Sequence, residues 1–325
     1  MKILGIGNAL LDILLTLESD ETLRRMGMAK GAMDLIDESQ MLAIHRVQAG
    51  LERHEAPGGS VCNTMRALAK LNVAAGYVGK IGSDDAGRFY EQAVRQAGVA
   101  PYFVRVEGIS GCSTVLVSPD GERTMATFLG PAATLSADEI RDDTLRPYDC
   151  VYVEGYLISN EALFLPILHR IRRLGLKIAL NLSNFNIVND FSELLHRVIP
   201  EYVDILFSNE REAEAYTGTD AAVAVREIAK QVDISVVTIG EKGALAASGD
   251  TCVHVPAPAC NPLDTTGAGD NFAAGFLYGL SVGASLKQSA CIGSLLSGYV
   301  IETFGPQIPA DRWHEIKLKV KEYIG

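Results

Sequence analysis

The chain has 325 residues, 48% of them hydrophobic, and a formal net charge of -11. That composition supports one large core or two modest ones. It excludes a nucleic-acid binder, which needs a basic face to neutralise phosphates, and no apolar run reaches the roughly 18 residues of a membrane span.

In chain order, the first element is the apolar strand "KILGIGN" (2–8). Glycines, Asn8 and Asp12 interrupt this apolar start and no small-residue cleavage site follows, so it reads as a buried strand and not a signal peptide. Residues 13–45 show no clean long helix. "NTMRALAKLN" (63–72) carries a helical stripe of Met65, Leu68, Ala69 and Leu71. "VAAGYVGKIG" (73–82) reads as a strand, and "DDAGRFYEQAVRQAG" (84–98) as a helix closed by Gly98. The alternating run "CSTVLVSPDGERTMATFLG" (112–130) predicts a hairpin turning at Pro119-Asp120-Gly121. The strands "CVYVEGYLI", "KIALNLS", "DILFSN" and "ISVVTIG" follow, with helices at about 160–174, 189–199, 209–217 and 220–231. Continuous apolar strands alternating with helices predict an α/β fold whose mostly parallel sheet is covered on both faces. The excursions at about 13–45 and 102–130 predict a small second β-sheet acting as a lid. No linker, repeat or low-complexity tract divides the chain, so residues 1–325 are expected to form a single domain.

Six cysteines (Cys62, Cys112, Cys150, Cys252, Cys260, Cys291) form no C-x-x-C pair, and six histidines form no H-E-x-x-H pattern. Buried thiols in a reduced, cytoplasmic protein without structural zinc are the expectation.

Several stretches place small and polar residues where strands end, which is where ligands bind in open α/β sheets. "GIGNAL" (5–10) begins like a dinucleotide fingerprint, but Leu10 stands at the third glycine position, which weakens an NAD-dependent dehydrogenase reading. Asn8 and Asp12 at this strand end suit ligand hydroxyls, or a solvated loop. Gly58-Gly59 before Asn63 and Thr64 permits close backbone approach, or simply makes a turn and an N-cap. In "SNEREAEAYTG" (208–218), Asn209 and Glu212 are spaced i, i+3 near a helix start, where they can cap or hold magnesium through its waters. Thr238 and Gly240 follow the strand "ISVVT", where a glycine turn can flank a nucleotide. "DTTGAGDNF" (264–272) sets Gly267-Ala268-Gly269 at a helix start, an anion-binding place, yet holds no lysine or arginine. No G-x-x-x-x-G-K-[ST] occurs anywhere, so this is not a P-loop NTPase.

Together, "GGSVCNTMRALAKLNVAAGYVGKIGSDDAGRFY", "SNEREAEAYTG" and "DTTGAGDNFAAGF" resemble the two signatures and the N-x-x-E motif of the ribokinase-like (PfkB) carbohydrate and nucleoside kinases. They stand in the family's order, and the resemblance as a whole covers the chain from Asn8 to about Gly305. The resemblance implies a ribokinase-like three-layer α/β/α sandwich with a small β lid, and ATP-dependent phosphorylation of a hydroxyl with Mg2+. It implies Asp270 as general base and Gly267, Ala268 and Gly269 as an anion hole. It puts Asn209 and Glu212 at magnesium and phosphate, Thr238 and Gly240 along the nucleotide, and Asn8, Asp12, Gly58, Gly59 and Asn63 at the acceptor. Asp264, Thr266 and the backbone near Gly305 resemble the monovalent-cation (K+) site of some members. "GIGNALLDI", "LNLSNFN" and "YVDILFSNEREAEAYTG" look closer to the family's adenosine kinases than to ribokinase. That implies adenosine as acceptor, with Phe185 near the pocket, and leaves ribose, fructose or another sugar as the alternative. A non-catalytic ligand-binding descendant is disfavoured because Asp270, the glycines and N-x-x-E are all intact. The partners expected are ATP and a small acceptor, without nucleic acid or membrane, for a monomer or homodimer.

Overall fold

Strand β1 (Ile3–Ile6) is buried at every position, which is why its sequence shows no polar alternation. The computed structural model describes residues 1–31, 33–47, 53–120 and 122–325. Gly121, part of the expected Pro119-Asp120-Gly121 turn, lies outside the described residues. Within them the further strands are β2 (Leu11–Thr16), β3 (Met33–Leu35), β4 (Arg53–Pro57), β5 (Ala75–Gly82), β6 (Ala100–Val106), β7 (Cys112–Val117), β8 (Arg123–Phe128), β9 (Cys150–Val153), β10 (Lys177–Asn181), β11 (Ile205–Asn209), β12 (Ile234–Thr238), β13 (Ala244–Ser248) and β14 (Thr251–Val255).

Among the described residues these strands make two sheets. The larger has the order β14-β13-β12-β11-β10-β9-β1-β5-β6. It is parallel from β12 to β6, and β13 and β14 add an antiparallel edge. One face packs on helices Ser60–Lys70, Ala268–Ser281, Leu286–Ile301 and Trp313–Ile324, through Met65, Phe276, Leu296 and Ile316 among others. The other packs on helices Phe164–Arg173, Ser192–Tyr202 and Ala221–Ile228, through Ile167, Val198 and Val225. The three layers are therefore those of the ribokinase-like α/β fold.

The smaller sheet, β3-β8-β7-β2-β4, has its own core of Leu11, Ile13, Leu15, Leu23, Met41 and Leu116. The chain enters it directly from β1 through Gly7 to Leu10, so the start of the central strand and the start of the second sheet are tied together. β7 and β8 pair as the hairpin expected at 112–130. β6 is an edge strand of the larger sheet, so the second sheet receives nothing from residues 100–106.

Some local expectations shift. The helix expected at 63–72 starts at Ser60, because Gly59 serves as its N-cap with φ +90°. "CVYVEGYLI" stops being a strand at Val153, and Gly155–Ser159 form a 3-10 turn instead. The helix expected at 189–199 is two helices, Phe185–Asp190 and Ser192–Tyr202.

Candidate active site

Five neighbouring parallel strands end on one side of the sheet in the order β1, β9, β10, β11, β12. At or just beyond those ends stand Asn8, Glu154, Asn181, Asn209 and Thr238. Strands lie about 4.8 Å apart, so this polar row runs roughly 19 Å along the sheet. Topology turns residues distant in sequence into one continuous groove.

Asp270 sits over the middle of that row, in the first turn of helix Ala268–Ser281. Ser60 Oγ donates to its Oδ1 at 2.6 Å and Asn63 Nδ2 to its Oδ2 at 2.9 Å. Both donors come from the helix that Gly59 caps, and Thr64 Oγ1 adds a bond to the Asp270 carbonyl at 3.1 Å. Asn181 Nδ2 donates to Ser60 Oγ at 3.1 Å, extending the chain of bonds back to β10. Burial raises the Asp270 pKa above the usual carboxylate value, against the pull of the Ser60 and Asn63 hydrogen bonds. The helix cap, Gly267, has φ +75°. The Ala268 N–H bonds to the Thr265 carbonyl at 3.2 Å, whereas Gly269 faces open space.

On one side of Asp270 lies a cavity of about 480 Å3. Asn8, Asp12, Gly59, Ser60 and Glu154 are among its lining residues, together with the apolar Leu10, Leu35, Leu129, Leu157 and Ile187. Asn8 is fixed by Glu154, donating from Nδ2 to Oε1 at 2.9 Å and from its backbone N to Oε2 at 3.2 Å. Gly59 is forced by close approach, since a Cβ there would lie 2.4 Å from the Asn8 carbonyl oxygen. Gly58 abuts the Asp12 carboxyl and its own carbonyl accepts from Tyr90 Oη at 2.7 Å. Asn63 does not line this cavity. It holds Asp270, while its buried Oδ1 has no partner among the described residues. Phe185 is not brought to the cavity either: it is 37% exposed, with the Arg211 guanidinium 5.6 Å from its ring centre.

On the other side, Thr238, Gly240, Thr265, Ala268 and Gly269 line a second cavity of about 570 Å3. A smaller compartment of about 280 Å3 joins the two, walled by Ser60, Asn181, Asn209, Glu212, Gly269 and Asp270. Asn209 and Glu212 form a reciprocal cap there: Asn209 Nδ2 donates to Glu212 Oε1 at 2.6 Å, Asn209 N to Oε2 at 3.0 Å, and Glu212 N to Asn209 Oδ1 at 2.9 Å. No cluster of three or more metal-ligating side chains occurs among the described residues.

Asp264 and Thr266 lie in the loop ahead of Asp270, beside the smaller sheet. Burial alone would raise Asp264, but hydrogen bonds from the Thr266 and Gly305 N–H groups and the Thr266 hydroxyl, with the charge of Arg123, hold it below the ordinary value.

Three carboxyls in the groove share an unusual poise. Burial raises Asp12, with the Asp270 charge adding and Arg66 and Arg123 opposing, to about 7. Burial also raises Glu154 and Glu212 to about 7, against hydrogen bonds from Asn8 and from the Asn209 N–H respectively. Unfolded carboxyls titrate near ~4. The folded state thus holds these protons more tightly, a stabilisation complete below about 4 and lost as pH rises through about 7. The ligand-free protein is expected to melt at a higher temperature at about pH 6 than at about pH 8, and Asp12→Asn with Glu154→Gln narrows that difference. A melting temperature that rises over this interval contradicts the assignment.

The motifs did not single out Ser60, Glu154, Asn181 or Arg123. Ser60 stood inside the first signature, next to Gly59, and Glu154 interrupted an otherwise apolar strand as a lone carboxylate, which is the one signal that could have found it. Asn181 and Arg123 left no mark in the local pattern.

Comparison with known proteins bears on this geometry. The description "pfkB family carbohydrate kinase" matches residues 28–313. A protein named uncharacterized sugar kinase from Archaeoglobus fulgidus is 30% identical over 254 residues, 73% of this chain and 95% of that one. The adenosine kinase of Schizophyllum commune is 25% identical over 98% of both chains. The crystal structure of adenosine kinase from Sinorhizobium meliloti superposes with a TM-score of 0.87 at 31% identity, covering 99% of this chain and 98% of that one. With the family's pattern matched over most of its length and its fold reproduced, the chain belongs to the PfkB family of carbohydrate kinases, phosphotransferases that act on a sugar or nucleoside hydroxyl.

Proposed function

We propose that this kinase transfers the γ-phosphoryl group of ATP to the 5′-hydroxyl of adenosine. The observation that carries the reading is the mixed polar and apolar lining of the 480 Å3 cavity beside Asp270. Its polar residues suit ribose hydroxyls, and its apolar ones, Leu10, Leu35, Leu129, Leu157 and Ile187, suit a flat base that a free sugar lacks. Its volume lies within the range of about 300–1,000 Å3 typical of small-molecule pockets. Two relatives named as adenosine kinases span nearly the whole chain, which supports the same acceptor.

In this reading the ribose lies against Asn8, Asp12 and Gly59, with its primary hydroxyl at Asp270. Asp270 accepts the hydroxyl proton as the oxygen attacks the γ-phosphorus; the bond from that phosphorus to the β,γ-bridging oxygen breaks, and ADP leaves. The nucleotide lies along Thr238 and Gly240, and Gly269, in the first turn of helix Ala268–Ser281 where the dipole favours negative charge, faces the transferred group. The smaller sheet, which contributes Leu35, Ser113 and Thr127 to the cavity wall, acts as the lid that excludes competing water. Both Glu212 oxygens are engaged by Asn209, so magnesium would be held here through its water shell. When bound, it neutralises charge developing on the phosphate oxygens.

A panel of nucleosides and sugars with ATP and magnesium tests the acceptor. Adenosine is expected to exceed ribose and fructose in kcat/KM by about 100-fold or more, since a free sugar forgoes every base contact. Preference for a free sugar overturns the nucleoside reading and leaves the kinase chemistry standing.

A further inference from the structure

Asp264 takes no part in the transfer derived above, yet it is among the most fully bonded side chains near the site. A carboxylate offers about four lone-pair positions. Arg123 Nη2 and Gly305 N both donate to Asp264 Oδ2 at 2.6 Å, and Thr266 N and Thr266 Oγ1 donate to Oδ1 at 3.0 and 2.7 Å. All four positions are taken. Arg123 Nη1 also donates to Thr266 Oγ1 at 2.6 Å, so the hydroxyl oxygen is used as well. The pair is no surface contact: the Arg123 side chain is 19% exposed and that of Asp264 4%.

These residues do not fit the monovalent cation that the resemblance implied for Asp264 and Thr266. A potassium ion would find its oxygen ligands occupied and a fixed positive charge among them. Arg123 also arrives from a different direction than a solution ion. It stands on β8, four residues before Thr127, which lines the acceptor cavity. One strand thus touches the acceptor wall and the loop that precedes the anion-facing glycines.

We propose that Arg123 is a built-in replacement for the monovalent cation, so that this kinase runs without potassium and its phosphate loop is held in place by a charge carried on the lid. The proposal rests on the phosphoryl-transfer reading of the site and not on the identity of the acceptor. A guanidinium is planar, permanently charged and able to bond Asp264 and Thr266 at once, which a lysine reproduces only as a point charge.

Turnover and melting temperature are to be measured for the native protein, Arg123→Ala and Arg123→Lys, in about 0.1 M potassium chloride and in choline chloride of equal ionic strength. The native protein is expected to show no more than about a twofold difference in turnover between the salts and no shift in melting temperature. Arg123→Ala is expected to lose about tenfold or more of its turnover in choline, to recover much of it with potassium or free guanidinium, and to melt higher in potassium. Arg123→Lys keeps the charge and is expected to remain potassium-independent. Native enzyme activated severalfold by potassium with a matching rise in melting temperature overturns the proposal. So does an Arg123→Ala protein equally impaired in both salts, unrescued by guanidinium and with an unchanged melting temperature. If the native protein phosphorylates no acceptor in either salt, the functional reading fails instead. The melting temperatures then still decide whether removing Arg123 creates a potassium site.

Discussion

Replacing Asp270 with asparagine is expected to lower kcat by about 10²–10⁴-fold, the range that a positioned general base contributes, and to leave ATP binding close to native. The amide cannot take the proton of the attacking hydroxyl. It does keep the shape of the carboxylate, so the helix start is preserved. Ser60 can still donate to the new amide oxygen. Asn63, which now donates to Oδ2, meets an NH2 group there; its buried Oδ1, without a partner among the described residues, can accept that group once the Asn63 amide turns over. Steady-state turnover together with ATP titration by calorimetry checks both halves. Turnover near the native value removes Asp270 from the base role, and lost ATP binding shows that its role is structural.

Gly267→Ala damages the site by another route. With φ +75° the position favours glycine, and a side chain there costs about 1–2 kcal/mol in backbone conformation alone. The added Cβ would also lie 2.6 Å from Pro306 Cα and 2.9 Å from its carbonyl oxygen. Both are backbone atoms, so no rotamer relieves the clash and the loop must shift. A displacement of about 1 Å at a reacting centre costs on the order of 10²-fold in rate. The expected result is that loss in kcat, together with a lower melting temperature. Gly269→Ala is the control for stability, since a Cβ there meets nothing within 4 Å and the residue is helical. It is expected to melt with the native protein. A Gly267→Ala protein as stable and active as native would mean that the loop tolerates the shift and does not position the phosphoryl group.

Legibility in the sequence followed physical range. The parallel sheet was readable because strands buried on both faces are uniformly apolar, and the helices because their apolar stripes recur at helical spacing. The expected helix at 63–72 missed Ser60 because its cap is a glycine held by φ +90°, a conformation that composition does not display. "CVYVEGYLI" was read as one strand because little but Glu154 breaks its apolar run; that carboxylate is buried against Asn8, just beyond β1, and the chain leaves the strand there. The resemblance of "LNLSNFN" to adenosine kinases implied Phe185 near the pocket. Its short helix instead presents Asn184, Asn186 and Ile187 to the cavity and leaves Phe185 against Arg211.

By itself the sequence determined what is local: an α/β chain, a glycine-rich helix start without a lysine, and Asp270 three residues beyond Gly267. Those features follow from nearest-neighbour chemistry, the φ freedom of glycine and the dipole of a helix. The tertiary structure alone decided who meets Asp270 and Asp264. Ser60 lies 210 residues from Asp270, and Arg123 lies 141 residues from Asp264. Such pairs leave no periodic trace, because they are made by the order in which strands assemble into a sheet and by the placement of a second sheet over their ends. That assembly converts five strand-end residues into one groove and brings the Arg123 charge from the smaller sheet to the loop ahead of Asp270.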